Sequence, residues 1–217
     1  MRKKNDVMTQ ALILDFDGVI CQTETFKLDQ MKRYIEGLGL SVDLRGLYRL
    51  AGGRIAEKEQ ILDELLGSQE RYRAVREEVL HFRPVWAPVA SLKTPGIDRT
   101  LQAVKERGIL LAVASNSTME RLRTALSACE LLPYFDFIAP AFDLGTRNPD
   151  PYVYLYTMET LGMAPRDCMI LEDSALGIQA GKAAGVRVAA LRDRDGAIDQ
   201  RMADVIITRI EEILDYL

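Results

Sequence analysis

Hydrophobic and polar positions follow two different rhythms along this chain. From residue 24 to about 82, apolar residues recur at helical spacing. "ETFKLDQMKRYIEGLGL" carries Phe26, Met31, Tyr34, Ile35 and Leu38 and predicts a helix closed between Gly37 and Gly39. "RIAEKEQILDELLGS" sets Ile55, Ile61, Leu62, Leu65 and Leu66 on one stripe that stops at Gly67, and "ERYRAVREEVLHF" continues with Tyr72, Val75, Val79 and Phe82. The three prolines of "RPVWAPVASLKTPG" end this block.

On both sides of the block the rhythm is one of short, nearly unbroken apolar runs. They fall at 11–14, 109–115, 135–140, 168–173, 186–191 and 204–208, with helical stretches between most of them. Apolar strands alternating with helices imply a parallel sheet covered on both faces. The expected fold is therefore α/β: a doubly wound, Rossmann-like parallel sheet core with an inserted helical cap domain. The expected division is a core of residues 1–22 and 93–217 and a cap of residues 23–92.

In such sheets ligands gather outside the carboxyl ends of the strands, so what each strand ends in is informative. The first ends in Asp15 and Asp17, the second in Ser115 and Asn116, and a later one in Glu172 and Asp173. A buried carboxylate without a partner is costly, and neighbouring ones repel. Residues two apart on an extended segment point the same way, which puts Asp15 and Asp17 on one side, while Gly18 permits a sharp turn. Hard oxygen ligands of this kind suit Mg²⁺, which relieves the repulsion and neutralises a phosphate. One carboxylate is then free to attack phosphorus and the other to carry a proton.

Composition narrows the picture by exclusion. The chain has 217 residues and a formal net charge of −4, an unfavourable balance for a nucleic-acid or anionic-membrane binder. The basic N-terminus lacks an apolar segment behind it, so neither a signal peptide nor a membrane span is expected. Three cysteines, Cys21, Cys129 and Cys168, form no CxxC pair and suit a reduced, cytoplasmic compartment. His81 is the only histidine, which leaves little for Ser-His-Asp catalysis or multi-histidine metal sites. A monomer or weak homodimer acting on a small molecule is the expected form.

Taken in order, "DFDGVI", "VASNS", a Pro-x-Pro stretch and "LEDSALGIQAGKAAG" resemble the four motifs of the haloacid dehalogenase-like (HAD) superfamily. The similarity covers essentially the whole chain and is greatest to the β-phosphoglucomutase-like phosphatases. It implies that Asp15 is a nucleophile forming an aspartyl-phosphate and that Asp17 is the general acid/base. Ser115 would bind the phosphoryl group, with Asn116 beside it. Asp173, with Glu172 nearby, would hold Mg²⁺ together with Asp15 and the carbonyl of Asp17. An acid at Asp17 suits an alkoxide leaving group, which needs a proton, whereas expelling halide needs none.

The third motif departs from the pattern. The family places lysine before Pro-x-Pro, but "TRNPDPYVY" puts Asn148 there, with Arg147 just before it. Either residue stands as a candidate replacement, and Arg147 as a plain solvated residue is the alternative. Losing one electrostatic donor of this kind costs about 2.7–4 kcal/mol, on the order of 100- to 1000-fold in rate. Gln22 stands where relatives carry an acid and is expected to shape the hinge, and Arg54 in "AGGRIAE" is a candidate contact to substrate. "GIQAGKAAG" is not a P-loop, because Gly177 and Gly181 are one residue too close and Lys182 precedes Ala183. Its glycines are read as close helix–sheet packing, with Ser174 as helix cap. Three functions follow: a Mg²⁺-dependent phosphatase for a small phosphorylated metabolite, a sugar phosphate first among them; a β-phosphoglucomutase-like isomerase; or a non-catalytic phosphate-ligand binder.

Overall fold

The computed structural model describes residues 9–50, 55–85, 87–193 and 196–217. Arg54 lies outside the described residues. Six parallel strands form one sheet: β1 (Ala11–Leu14), β2 (Leu110–Ser115), β3 (Phe137–Pro140), β4 (Cys168–Glu172), β5 (Arg187–Leu191) and β6 (Val205–Ile207). Their spatial order is β3-β2-β1-β4-β5-β6. The first strand therefore lies at the centre, with Leu14 level with Val113 on one side and Leu171 on the other. The chain runs outward from β1 in both directions, so the crevice at its carboxyl end is the switch point of a doubly wound sheet.

Every residue of β1 is buried, as a central parallel strand requires. Leu12, Leu14, Val113 and Leu171 face a layer that includes α5 (Ile97–Glu106) and α6 (Met119–Ala128). Ile13, Ala112, Ile170 and Val188 face the opposite layer, with α7 (Tyr152–Leu161) and α8 (Ala175–Ala183). The expected α/β sheet is the observed one.

The inserted block builds α1 (Thr23–Gly37), α2 (Leu44–Leu47), α3 (Ile55–Leu66) and α4 (Tyr72–Leu80). Leu28, Met31, Ile35, Leu62, Leu66, Tyr72, Val75 and Val79 pack into a hydrophobic cluster of their own. His81 sits exposed just after α4. The two chain crossings to this block lie side by side: Gln22 N–H donates to Leu92 O at 2.7 Å and Thr94 N–H to Ile20 O at 3.0 Å. The Gln22 amide joins them further, donating to Gly18 O at 3.0 Å and Thr94 Oγ1 at 2.8 Å. Gln22 thereby ties the two crossings together.

Glycine spacing in α8 has the anticipated cause. A Cβ on Gly181 would stand 2.8 Å from Val188 Cγ2 and 3.0 Å from Ile170 Cδ1, so the helix lies directly on the sheet. Ser174 caps the helix by accepting from Gly177 N–H at 3.0 Å, and Gly185 leaves it in the left-handed region at φ +76°. The stretch "NPDPYVY" predicts a helix with Asp150 as its cap and Pro151 as its first residue, and the observed α7 starts one residue later. Pro151 lies in the turn before the helix, and Asp150 Oδ1 accepts from Tyr152 N–H at 2.9 Å, a short Asx turn that precedes the first helical residue. Among the described residues no helix is long and apolar enough to cross a membrane.

Candidate active site

Three strand ends meet where the sequence pattern predicts. Asp15 follows β1, Ser115 closes β2, and Glu172 with Asp173 closes β4. Asp15, Asp17, Ser115, Asn116, Arg147 and Asp173 line one cavity of about 200 Å³, with Lys27 and Leu50 from the helical block on its wall. Lys27 is ion-paired to Glu24 at 2.6 Å.

Asp15, Glu172 and Asp173 each offer a carboxylate oxygen within 4.8 Å of the others. Burial pushes the Asp15 carboxyl well above its ordinary range, and Glu172, Asp173 and Asp17 push it further. Burial does the same for Asp173, with Glu172 the next cause. Gly18 makes the crowding possible, since at φ +92° a side chain there is strained and its Cβ would overlap the Asp173 carboxylate. Three convergent carboxylate oxygens are the donor set a hard divalent cation prefers, and their repulsion is what such a cation relieves. The residues present therefore fit Mg²⁺.

Glu172 is the inner member of the group. It is fully buried, and its Oε2 accepts from the backbone N–H of Asp173 at 2.7 Å and of Ser174 at 2.8 Å and from the Ser174 hydroxyl at 3.1 Å. Its Oε1 accepts from Asn148 Nδ2 at 3.4 Å and Tyr154 OH at 3.3 Å. Burial raises its pKa, and these donors, the backbone N–H groups of Ser174 and Asp173 foremost, hold the rise back. Gly177 completes the fit, because a Cβ there would run into this carboxylate.

The departure in the third motif resolves into two separate positions. Asn148 turns toward Glu172, and its backbone N–H donates to Asn116 Oδ1 at 3.1 Å. Arg147 lines the cavity shared by Asp15 and Asp173. The neutral amide thus takes the place beside the inner acid, while a cation comes from one residue earlier.

Asp17 is held differently from its neighbours. Arg121 grips it with two N–H···O bonds, Nη2 to Oδ1 at 2.7 Å and Nη1 to Oδ2 at 2.8 Å, and the Thr23 hydroxyl donates to Oδ1. Burial alone would raise its pKa, but Arg121 and Thr23 outweigh that and hold the carboxyl below its usual value. Neither Arg121 nor Thr23 is singled out by the sequence reading, nor are Tyr154 and Gln200, whose amide donates to Asp173 O at 2.7 Å and Leu191 O at 2.8 Å. A signal existed for Arg121: Thr118 caps α6 by accepting from the Arg121 N–H at 3.2 Å, so this arginine lies in the first turn after the second motif.

Comparison with known proteins agrees with the geometry. The pattern of the family described as Haloacid dehalogenase-like hydrolase matches residues 12–191. A phosphorylated carbohydrates phosphatase of Thermotoga maritima is 27% identical over 213 residues, covering 96% of this chain and 98% of the relative. Hexitol phosphatase B of Escherichia coli is 30% identical over 215 residues, covering 94% of this chain and 93% of the relative. The solved structure of a putative β-phosphoglucomutase from Thermotoga maritima, 26% identical, superposes with a TM-score of 0.65 over 95% of this chain and 97% of the other. On the match across most of its length, with the strand order and strand-end acids to support it, the chain belongs to the haloacid dehalogenase-like hydrolases.

Proposed function

We propose that this protein is a Mg²⁺-dependent phosphatase that hydrolyses a small phosphorylated metabolite, a sugar phosphate first among them, through an aspartyl-phosphate on Asp15. The observation that carries the reading is the convergence of Asp15, Ser115 and Asp173 from three adjacent strand ends on one cavity. The names of the relatives, phosphatases of phosphorylated carbohydrates and of hexitols, support the substrate class. Residues 23–92 serve as the cap over this cavity, and the compartment is the cytoplasm.

In this reading an Asp15 carboxylate oxygen attacks phosphorus and the ester P–O bond breaks. Asp17 gives its proton to the departing oxygen. The Asp17 carboxylate then takes a proton from water as that water attacks phosphorus, which breaks the bond to Asp15 and frees inorganic phosphate. Ser115 hydrogen-bonds a phosphoryl oxygen, and Arg147 adds positive charge from the cavity wall. Asp15, Asp173 and the carbonyl of Asp17 would hold Mg²⁺, with Glu172 bracing them from inside. When bound, that ion supplies charge neutralisation of the phosphoryl group. Closing the cap keeps bulk water from the intermediate.

Phosphate release from a panel of sugar phosphates and other small esters, with and without Mg²⁺, tests this directly. Turnover that depends on Mg²⁺ and disappears in Asp15→Asn supports it, and no turnover on any ester overturns it. The resemblance to a putative β-phosphoglucomutase favours a second reading, an isomerase returning the phosphoryl group to another sugar hydroxyl. Conversion of β-glucose 1-phosphate without phosphate release would select that one.

A further inference from the structure

Three of the residues that line the acid cavity come from the helical block: Glu24, Lys27 and Leu50. The first two sit in the opening turns of α1, three residues apart and so on one face of the helix. That turn is tethered close to the acids. Gln22, just before it, ties the two crossings together, and Thr23 donates its hydroxyl to Asp17. Lys27 Nζ donates to Glu24 Oε1 at 2.7 Å and lies 2.6 Å from Glu24 Oε2. Yet Oε2 is buried and accepts no well-directed hydrogen bond among the described residues. An ammonium group has three N–H donors, so Lys27 keeps at least one beyond those the carboxylate takes.

In the phosphatase reading the phosphoryl group lies against Asp15 and Ser115, which leaves Glu24, Lys27 and Leu50 to face the departing alcohol. The cavity is small, about 200 Å³ against the roughly 300–1,000 Å³ of ordinary ligand pockets. It therefore encloses the phosphoryl group and only the carbons nearest to it. We propose that, within the phosphatase reading on which this rests, Glu24 and Lys27 select a neutral, hydroxylated leaving group and reject one that carries a carboxylate. A hydroxyl satisfies both members of the pair, donating to Glu24 Oε2 and accepting from the spare N–H of Lys27. A carboxylate can only accept. It meets Glu24 as a like charge, and the positive charge of Lys27 is already matched by its own partner. The Lys27 and Glu24 side chains are 32% and 23% exposed, so water screens the repulsion only in part.

Racemic glycerol 3-phosphate and racemic 3-phosphoglycerate form the probe pair, since they differ only in a terminal hydroxymethyl group or carboxylate. Each is measured by its Ki against turnover of the best sugar phosphate of the panel, with Mg²⁺ present, so neither has to be a good substrate. Native protein is expected to bind the glycerol ester more tightly by roughly 10- to 100-fold. Glu24→Gln keeps the shape but loses the charge, and it should shrink that ratio by about tenfold. Lys27→Met leaves Glu24 uncompensated and should widen it. Altered phosphoryl contacts change both esters alike and cancel in the ratio. Glu120→Gln, in the wall of a separate cavity, should leave the ratio unchanged, which separates contact at the leaving group from a general change of charge. A native ratio near one or favouring 3-phosphoglycerate, failure of both esters to compete, a ratio unmoved by both Glu24→Gln and Lys27→Met, or an equal shift in Glu120→Gln would overturn this selection while leaving the phosphatase reading intact. Native protein inactive on every ester of the panel would overturn the phosphatase reading itself. Melting temperatures identify any variant that fails to fold, and Lys27→Met carries the comparison if Glu24→Gln is that variant.

Discussion

At Asn148 a neutral amide occupies the position where the family pattern has lysine, 3.4 Å from an acid that is buried among other acids. Its Oδ1 is buried without a hydrogen-bond partner among the described residues. Asn148→Lys would direct an ammonium group at the same acids, and the electrostatic argument gives the sign. A donor of this kind is worth on the order of 100- to 1000-fold in rate when removed. With Arg147 already on the cavity wall, part of that is in hand, so kcat/KM should rise by about tenfold. A steady-state comparison on one sugar phosphate decides it; an unchanged or lower value would mean that Arg147 already supplies the charge. The residues proposed to react were legible because strand ends concentrate ligands and short motifs report strand ends. Asp15, Ser115 and Asp173 sit where that rule puts them. Tyr154 and Gln200 were not legible, since each reaches its partner through tertiary packing that local spacing does not encode, and Arg121 had only its place in the first turn after the second motif to mark it.

At the scale of single elements, the glycines of α8 and α1 make opposite predictions. Gly177 in α8 faces the Glu172 carboxylate, which five hydrogen bonds hold in place, so Glu172 has no room to yield to a Cβ. Gly177→Ala gains about 1 kcal/mol of helix propensity but forfeits charged hydrogen bonds worth roughly 1.5–3 kcal/mol each. It should come out destabilised by about 2 kcal/mol, read from urea unfolding. Gly37, at the exposed end of α1 with nothing within 4 Å of a built Cβ, has no such neighbour. Gly37→Ala should stabilise by up to about 1 kcal/mol. The reverse order of the two variants would refute the packing argument. Helical periodicity made α1, α3 and α4 readable, and apolar runs made the strands readable. The exact start of α7 was not, because a proline at the first helical position and one in the preceding turn share the same sequence.

Across the whole molecule, the buried acids make stability depend on pH and on metal together. Asp15, Glu172 and Asp173 all titrate higher in the folded chain than in the unfolded one. The folded state therefore binds more protons, and stability of the metal-free protein should fall as pH rises from about 4 through the raised values. Mg²⁺ at 100 times its Kd should return about 2.7 kcal/mol, or roughly 5–10 °C in melting temperature. Asp173→Asn removes one of the repelling charges. It should melt higher than native protein without metal and lose most of the Mg²⁺ shift, whereas an unaltered Mg²⁺ shift would place the ion elsewhere.

On the proposed mechanism Asp15 carries the phosphoryl group. Acid quenching of the native enzyme during turnover of a radiolabelled sugar phosphate, with Mg²⁺ present, tests it most directly. Label is expected bound covalently to the protein, released by hydroxylamine as an acyl phosphate is, and absent from Asp15→Asn. Turnover without covalent label at the shortest quench times, or label that persists in Asp15→Asn, would contradict it.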